Sequence, residues 1–192
     1  MSALSRRAVL GWVAAAGMVA ASAVLISVTP PQSKDPDPFV VTVAQGERGV
    51  GRNIDVSVMG VRRVQEITAT PYGSTWSARG NWLVVDLHAA AVTTQTGSLF
   101  RGAQFLIDGK TYTATERIAT GANLLGTSLL PGVPRAGSVA FELPAGLDSG
   151  SGTLAFSMNS DARADSQIRV PIDLRTVPSA ATAELPKLGW AR

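Results

Sequence analysis

The chain has 192 residues, 45% of them apolar and none of them cysteine, which suffices for one packed domain and is too short for two large ones. Without cysteine there are no disulfides, thiolate catalysts, thiolate metal sites or lipid-modified anchor; with 19 Gly, 11 Pro and only 6% aromatics, the composition favours short strands and turns. Of the 17 basic residues set against 14 acidic ones, Arg6 and Arg7 precede an apolar run. The remainder is close to neutral with its arginines scattered singly, which argues against nucleic acid as a partner.

Residues 1–7 form a short basic segment, and Ala8 to Val28 then run without a charge. As a helix, 8–28 would span about 32 Å at about 1.5 Å per residue, matching a hydrocarbon core of about 30 Å. It reads as a transmembrane anchor. A secretory signal cleaved after Ala23, at the small-x-small site Ala21-Ser22-Ala23, is the alternative. The arginine pair places the N-terminus in the cytoplasm and everything after Thr29 outside. Ser5-Arg6-Arg7-Ala8-Val9-Leu10 is also similar to a twin-arginine export signal, with Val9 in the usual Phe position. Residues 29–38 carry four prolines, which exclude a helix and suit an extended stalk.

From Phe39 the pattern changes to short runs rich in Val, Ile, Leu and aromatics, punctuated by Gly and Pro. Strands are expected near Phe39–Ala44, Asn53–Val64, Asn81–Ala89, Gln104–Ile107, Thr111–Glu116, Gly137–Leu143, Thr153–Met158 and Ile168–Leu174. In Trp82–His88 the alternation puts Leu83, Val85 and Leu87 on one face, the core face, and Trp82, Val84, Asp86 and His88 on the other. Asp108-Gly109 accepts the positive φ angles of a tight hairpin turn. Pro171 suggests an edge position for the last strand, since proline donates no ladder hydrogen bond. Seven or eight strands without a helical stripe imply an all-β, two-sheet sandwich over 39–175. Residues 176–192, rich in Ala and Pro, read as a flexible tail.

Three blocks carry a resemblance. Trp82-Leu83-Val84-Val85-Asp86, Phe105-x-Ile107-Asp108-Gly109-Lys110-Thr111-Tyr112, and Pro131-Gly132 followed by Gly137-x-Val139-x-Phe141-Glu142-Leu143-Pro144 are similar to the central strand, hairpin and later strand of a bacterial family. That family comprises extracytoplasmic immunoglobulin-like domains of unassigned function, related to the immunoprotective extracellular antigens. The resemblance spans roughly 48–174. It implies an immunoglobulin-like β-sandwich behind a signal or anchor and a linker, and it brings no catalytic residue. The chain departs from the family in lacking a lipidated cysteine and in having Ala89-Ala90-Ala91 where an Asn often closes the central strand.

His88 is the one histidine, so a Ser-His-Asp mechanism would have to pass through it, with Asp86 two residues earlier on the same face. No Gly-x-Ser-x-Gly turn accompanies it, and both residues read as polar positions on an outer strand face. Zinc and copper lack ligands. Asp161 with Asp165, and Asp35 with Asp37, lack calcium-loop spacing and read as solvated charges. Gly46–Gly51 reads as a loop between the first two strands, not a phosphate cradle. Arg62-Arg63 would point to opposite sides of a strand, which weakens a single anion site. Tyr72 and Trp76, on a turn-like stretch, and Trp190 in the tail form the candidate interaction patch, although Trp76, and equally Trp190, could instead fold back over an open sheet end. The expectation is a non-enzymatic, cofactor-free interaction or adaptor module for an envelope or membrane protein. The alternative is a binding domain for a small molecule or cell-wall ligand.

Overall fold

The computed structural model describes residues 6–28, 37–93 and 98–191. Helix α1 (Arg6–Val28) belongs to a unit of its own, ending at residue 36. Side chains are described only for 11–22 and 24 of it, and all of these are exposed. Among the described residues no helix is long and apolar enough to cross a membrane. Of the expected stalk, residues 29–36, with Asp35, lie outside the described residues.

The second unit, residues 37–192, is all β. Its strands are β1 (Phe39–Thr42), β2 (Arg48–Val50), β3 (Ile54–Ala69), β4 (Trp76–Ala91), β5 (Gly102–Ile107), β6 (Lys110–Thr113), β7 (Arg135–Leu143), β8 (Ser151–Ser157), β9 (Ser166–Asp173), β10 (Ser179–Leu185) and β11 (Gly189–Trp190). One sheet runs β1-β9-β8-β5-β6, and the other β10-β3-β4-β7-β11 with β2 added to β3. The two sheets form a sandwich. All eight expected strands are present, with no end displaced by more than five residues, and β2, β10 and β11 join them.

Period-two alternation builds the core between the sheets. Leu83, Val85 and Leu87 of β4 face Phe105 and Ile107 of β5, Leu154 and Phe156 of β8, and Ile168 and Val170 of β9, all of them buried. Each such side chain contributes about 1.5–3 kcal/mol by leaving water. The tight turn forms as expected, with Asp108 at φ 50° and Gly109 at φ 71°, and it joins Ile107 to Lys110.

Sheet β10-β3-β4-β7 also buries part of its outer face. Trp82 and Val84 lie in a second apolar cluster with Val64, Ile67, Ala140, Ile118 and Leu185. Two bulges make this possible. The β3–β4 register shifts between Val58 and Gly60 and again between Val64 and Glu66, and each extra residue resets which side chains face inward. Val58 and Val61 therefore share the main core although three positions apart, and Val64 and Ile67 share the second cluster.

Two expectations are corrected. Residues 176–192 are not a flexible tail, because Ser179–Leu185 pairs in parallel with β3 and Gly189–Trp190 pairs antiparallel with β7. The reason is Leu185, 2% exposed in the second cluster, which anchors a strand whose other residues are mostly exposed. Nor does Pro171 mark an edge strand, since β9 lies between β1 and β8. The β1 ladder stops at Arg169, so the proline falls on a stretch of β9 whose outer side that strand no longer lines. Within the expected loop Gly46–Gly51, Arg48–Val50 pairs with β3. Gly49 is required there, since a Cβ would come within 2.4 Å of Ile168 Cγ2.

Candidate functional site

Tyr72 and Trp190 stay on the surface, and Trp76 does not. Tyr72 sits in the β3–β4 turn, 71% exposed, with its ring against Gly121. A Cβ at Gly121 would lie 2.7 Å from the ring, and this glycine has φ +92°. Lys187 Nζ stands 5.1 Å from the Tyr72 ring centroid, within cation–π range. Trp190, 53% exposed, carries the Arg135 guanidinium 4.5 Å from its centroid. Trp76 packs half-buried against the second cluster, which removes it from the candidate patch and puts it in the role of closing the sheet end.

The segment between β10 and β11, within the expected tail, links Tyr72 and Trp190. Leu188 N–H donates to the Gly121 carbonyl at 2.8 Å. A Cβ on Gly137 would come within 2.4 Å of Leu188 Cδ2, so the missing side chain of β7 is what seats the leucine. Pro186 to Gly189 thus form a strap from one edge of the sheet toward the other, passing beside Met59, Asp86 and His88. Under Tyr72 and Leu188 lies a cleft of about 530 Å³, lined also by Arg101, Glu116, Asn123 and Thr127. Asn123 shapes its wall: its Nδ2 donates to the Thr115 carbonyl at 3.0 Å and its Oδ1 accepts from Leu125 N–H at 3.0 Å. No periodic signal announces these contacts; glycines at 121 and 137 are the local trace.

Asp86 and His88 share the outer face, as expected. The carboxylate is held by other residues: it pairs with Arg62 and accepts from Ser138 Oγ at 2.6 Å. Ser138 is fully buried, so this bond satisfies a hydroxyl that would otherwise be stranded. Asp161 is gripped by Arg163 through Nε at 3.0 and 2.9 Å, and the side-chain hydrogen bond from Arg163 holds its carboxyl below the usual range. Asp165 accepts from Asn53 Nδ2 at 2.9 and 2.8 Å and from Ser166 N–H at 2.7 Å, tying the start of β9 to the start of β3. Both carboxylates thus serve the loops they sit in. Among the described residues no group of three or more His, Asp or Glu side chains is placed to hold a metal ion.

Arg62 and Arg63 point to opposite faces. Arg62 pairs with Asp86 outside, whereas Arg63 stands opposite Leu83 on the face that elsewhere forms the main core. Beyond the end of that core the same face becomes polar, with Arg63, Glu66, Arg79 and Asn81 lining a groove of about 780 Å³.

The sequence matches no protein-family profile and no curated protein. Three solved structures are similar in shape. A candidate lipoprotein, YcdA from Bacillus subtilis, shares 11% identity at a TM-score of 0.47, covering 68% of this chain and 39% of its own. An uncharacterized β-sandwich protein from Clostridium difficile 630 shares 11% at 0.45, covering 74% and 99%. The YjhA protein of Bacillus subtilis shares 17% at 0.44, covering 66% and 98%. The chain spans about two fifths of the first of these. The sandwich assignment itself rests on the strand pairing described above.

Proposed function

We propose that this chain is a tethered extracytoplasmic module that docks a neighbouring envelope or membrane protein, without chemistry of its own. In this reading residues 8–28 are a membrane anchor with the N-terminus in the cytoplasm; a secretory signal cleaved after Ala23 is the alternative. Residues 29–38 hold the domain off the bilayer. The sandwich belongs with the immunoglobulin-like extracytoplasmic domains that its strand and hairpin blocks resemble.

One observation carries the docking role: two exposed aromatics, each braced by a cation, stand along a single strap. Tyr72 lies against Lys187, and Trp190 lies under Arg135. Tyrosine, tryptophan and arginine dominate interface hot spots, and rings held in place lose little entropy on binding. The test is recovery of a stoichiometric partner when the full-length protein is cross-linked and purified from membranes. Trp190→Ala and Tyr72→Ala should each reduce recovery at least about tenfold, while Phe39→Ala, at the far sheet's edge strand, should not. Equal recovery with all three variants would refute the docking face. Intact mass of the membrane-extracted protein reads directly whether residues 1–23 remain.

The cleft beneath Tyr72 supports a second reading, a small-molecule or cell-wall ligand. Under that reading soluble cell-wall fragments should quench tryptophan fluorescence without any protein partner present.

A further inference from the structure

The groove on the inner face of the β3–β4 pair does not involve Tyr72 or Trp190, and its chemistry is of a different kind. Arg63 has its Nε buried with no hydrogen-bond partner, and among the described residues no ion pair reaches it. The other cation, Arg79, faces Glu66 across the strand pair at 3.5 Å. Asn81 forms part of the wall and clamps the β7–β8 turn by donating from Nδ2 to the Pro144 and Leu147 carbonyls at 2.8 and 3.1 Å. With Nε closed off from solvent, a ligand meets the terminal amino groups of this guanidinium, whose planar fork matches a carboxylate or a phosphate. The remaining lining decides between them. Glu66 and Asp148 both border the groove, so their repulsion is about twice as large for a dianion as for a single carboxylate, whose one charge Arg63 matches.

The groove also runs beside Ser179, Ala181 and Thr182. These belong to β10, which ends its sheet and pairs among the described strands only with β3. Its outer row of backbone groups is therefore open to a further strand. Edges of this kind are commonly guarded by lysine, proline or a bulge. Ser179–Leu185 reads SAATAEL, with small, mostly exposed side chains; its one charge is Glu184, and its prolines, Pro178 and Pro186, lie outside the strand.

We propose that the free edge of β10 and the Arg63 groove together bind an extended peptide segment of a partner protein. The peptide main chain would add beside β10, and one of its Asp or Glu side chains would reach across to Arg63. Edge addition supplies affinity from the backbone, and the arginine supplies the selection.

The test uses the full-length chain in detergent micelles and the end-blocked, fluorescein-labelled peptide Thr-Val-Glu-Val-Thr, with its Gln counterpart and inorganic phosphate as probes. The Glu peptide should bind about tenfold more tightly than the Gln peptide in anisotropy titrations, the ratio expected for one charge-assisted bond. Hydrogen exchange should slow over residues 179–185 when it binds. Arg63→Met, which keeps the aliphatic stem, should erase the Glu-over-Gln preference. The preference itself is measured on the unmodified chain, so the result does not depend on how that variant folds. Absence of binding, equal binding of the two peptides, protection located away from β10, or phosphate competing at concentrations comparable to the Glu peptide would each overturn the proposal. None of these outcomes bears on the Tyr72–Trp190 docking face, which is read by partner recovery.

Discussion

Leu185→Ala separates an ordered C-terminal strand from a loose tail. Leu185 is 2% exposed and lies in the cluster with Ile67, Trp82 and Ile118, reached through a parallel ladder that pairs it with Ala69. Truncation to alanine removes the equivalent of about three methylene groups, a transfer loss of about 2.4 kcal/mol at about 0.8 per group. Incomplete collapse of the resulting cavity brings the expected destabilisation to about 3 kcal/mol. For a domain of this size each kcal/mol lowers Tm by about 2–4 °C, so the variant should melt about 6–12 °C below wild type. Urea unfolding followed by far-ultraviolet circular dichroism gives the same quantity as a shift in midpoint at constant slope. Ala181→Ser on the exposed part of the same strand is the control and should stay within about 0.5 kcal/mol. If Leu185→Ala also stays within about 0.5 kcal/mol, the second cluster is not a stabilising core and the strand assignment fails with it.

Asp86→Ala should cost about 1–3 kcal/mol in urea unfolding, because it leaves Arg62 without its acid and the buried Ser138 hydroxyl without an acceptor. His88→Gln should stay within about 0.5 kcal/mol; a larger loss for His88 than for Asp86 would contradict the pairing. Gly152→Ala places a Cβ 2.4 Å from Phe105 Cε2 and 2.9 Å from the Leu106 carbonyl, overpacking that should cost about 1–3 kcal/mol, whereas Gly189→Ala enters open space and should leave Tm unchanged. Arg175 holds the Asp173 carboxyl below its usual range, first through its side-chain hydrogen bond and then through its backbone N–H. A carboxyl depressed in the folded state adds stability above its unfolded pKa of about 3.9 and loses it as pH falls through the folded value. The stability gap between wild type and Asp173→Asn should therefore close as pH drops below about 4, and a gap persisting at pH 2 would refute that linkage.

What was legible in the sequence follows the range of the signal. Alternation and turn chemistry act over a few residues, so the eight principal strands, the inward face of Leu83, Val85 and Leu87, and the Asp108-Gly109 turn could be read directly. The opposed directions of Arg62 and Arg63 follow from the same pleat. Local reading named Tyr72, Trp76 and Trp190 as a candidate patch and left open, for both tryptophans, a fold back over a sheet end. It could not decide that alternative, since an aromatic near a turn folds inward only where an apolar surface awaits it. For Trp76 that surface is assembled from Ile118, Ala140 and Leu185, all distant in the chain.

By itself, then, the sequence determined a basic-then-apolar N-terminal segment, an all-β body and the alternation of inward and outward positions along β4. Only the tertiary structure decided that the last residues join the sheet, that Trp82 and Val84 are as buried as Leu83, and that the long β3–β4 pair outruns the core to leave a polar groove. Those features depend on which segments meet across the fold and on two single-residue bulges. A bulge leaves no trace in the alternation until the partner strand is known, because it is defined by a mismatch between two strands and belongs to neither alone.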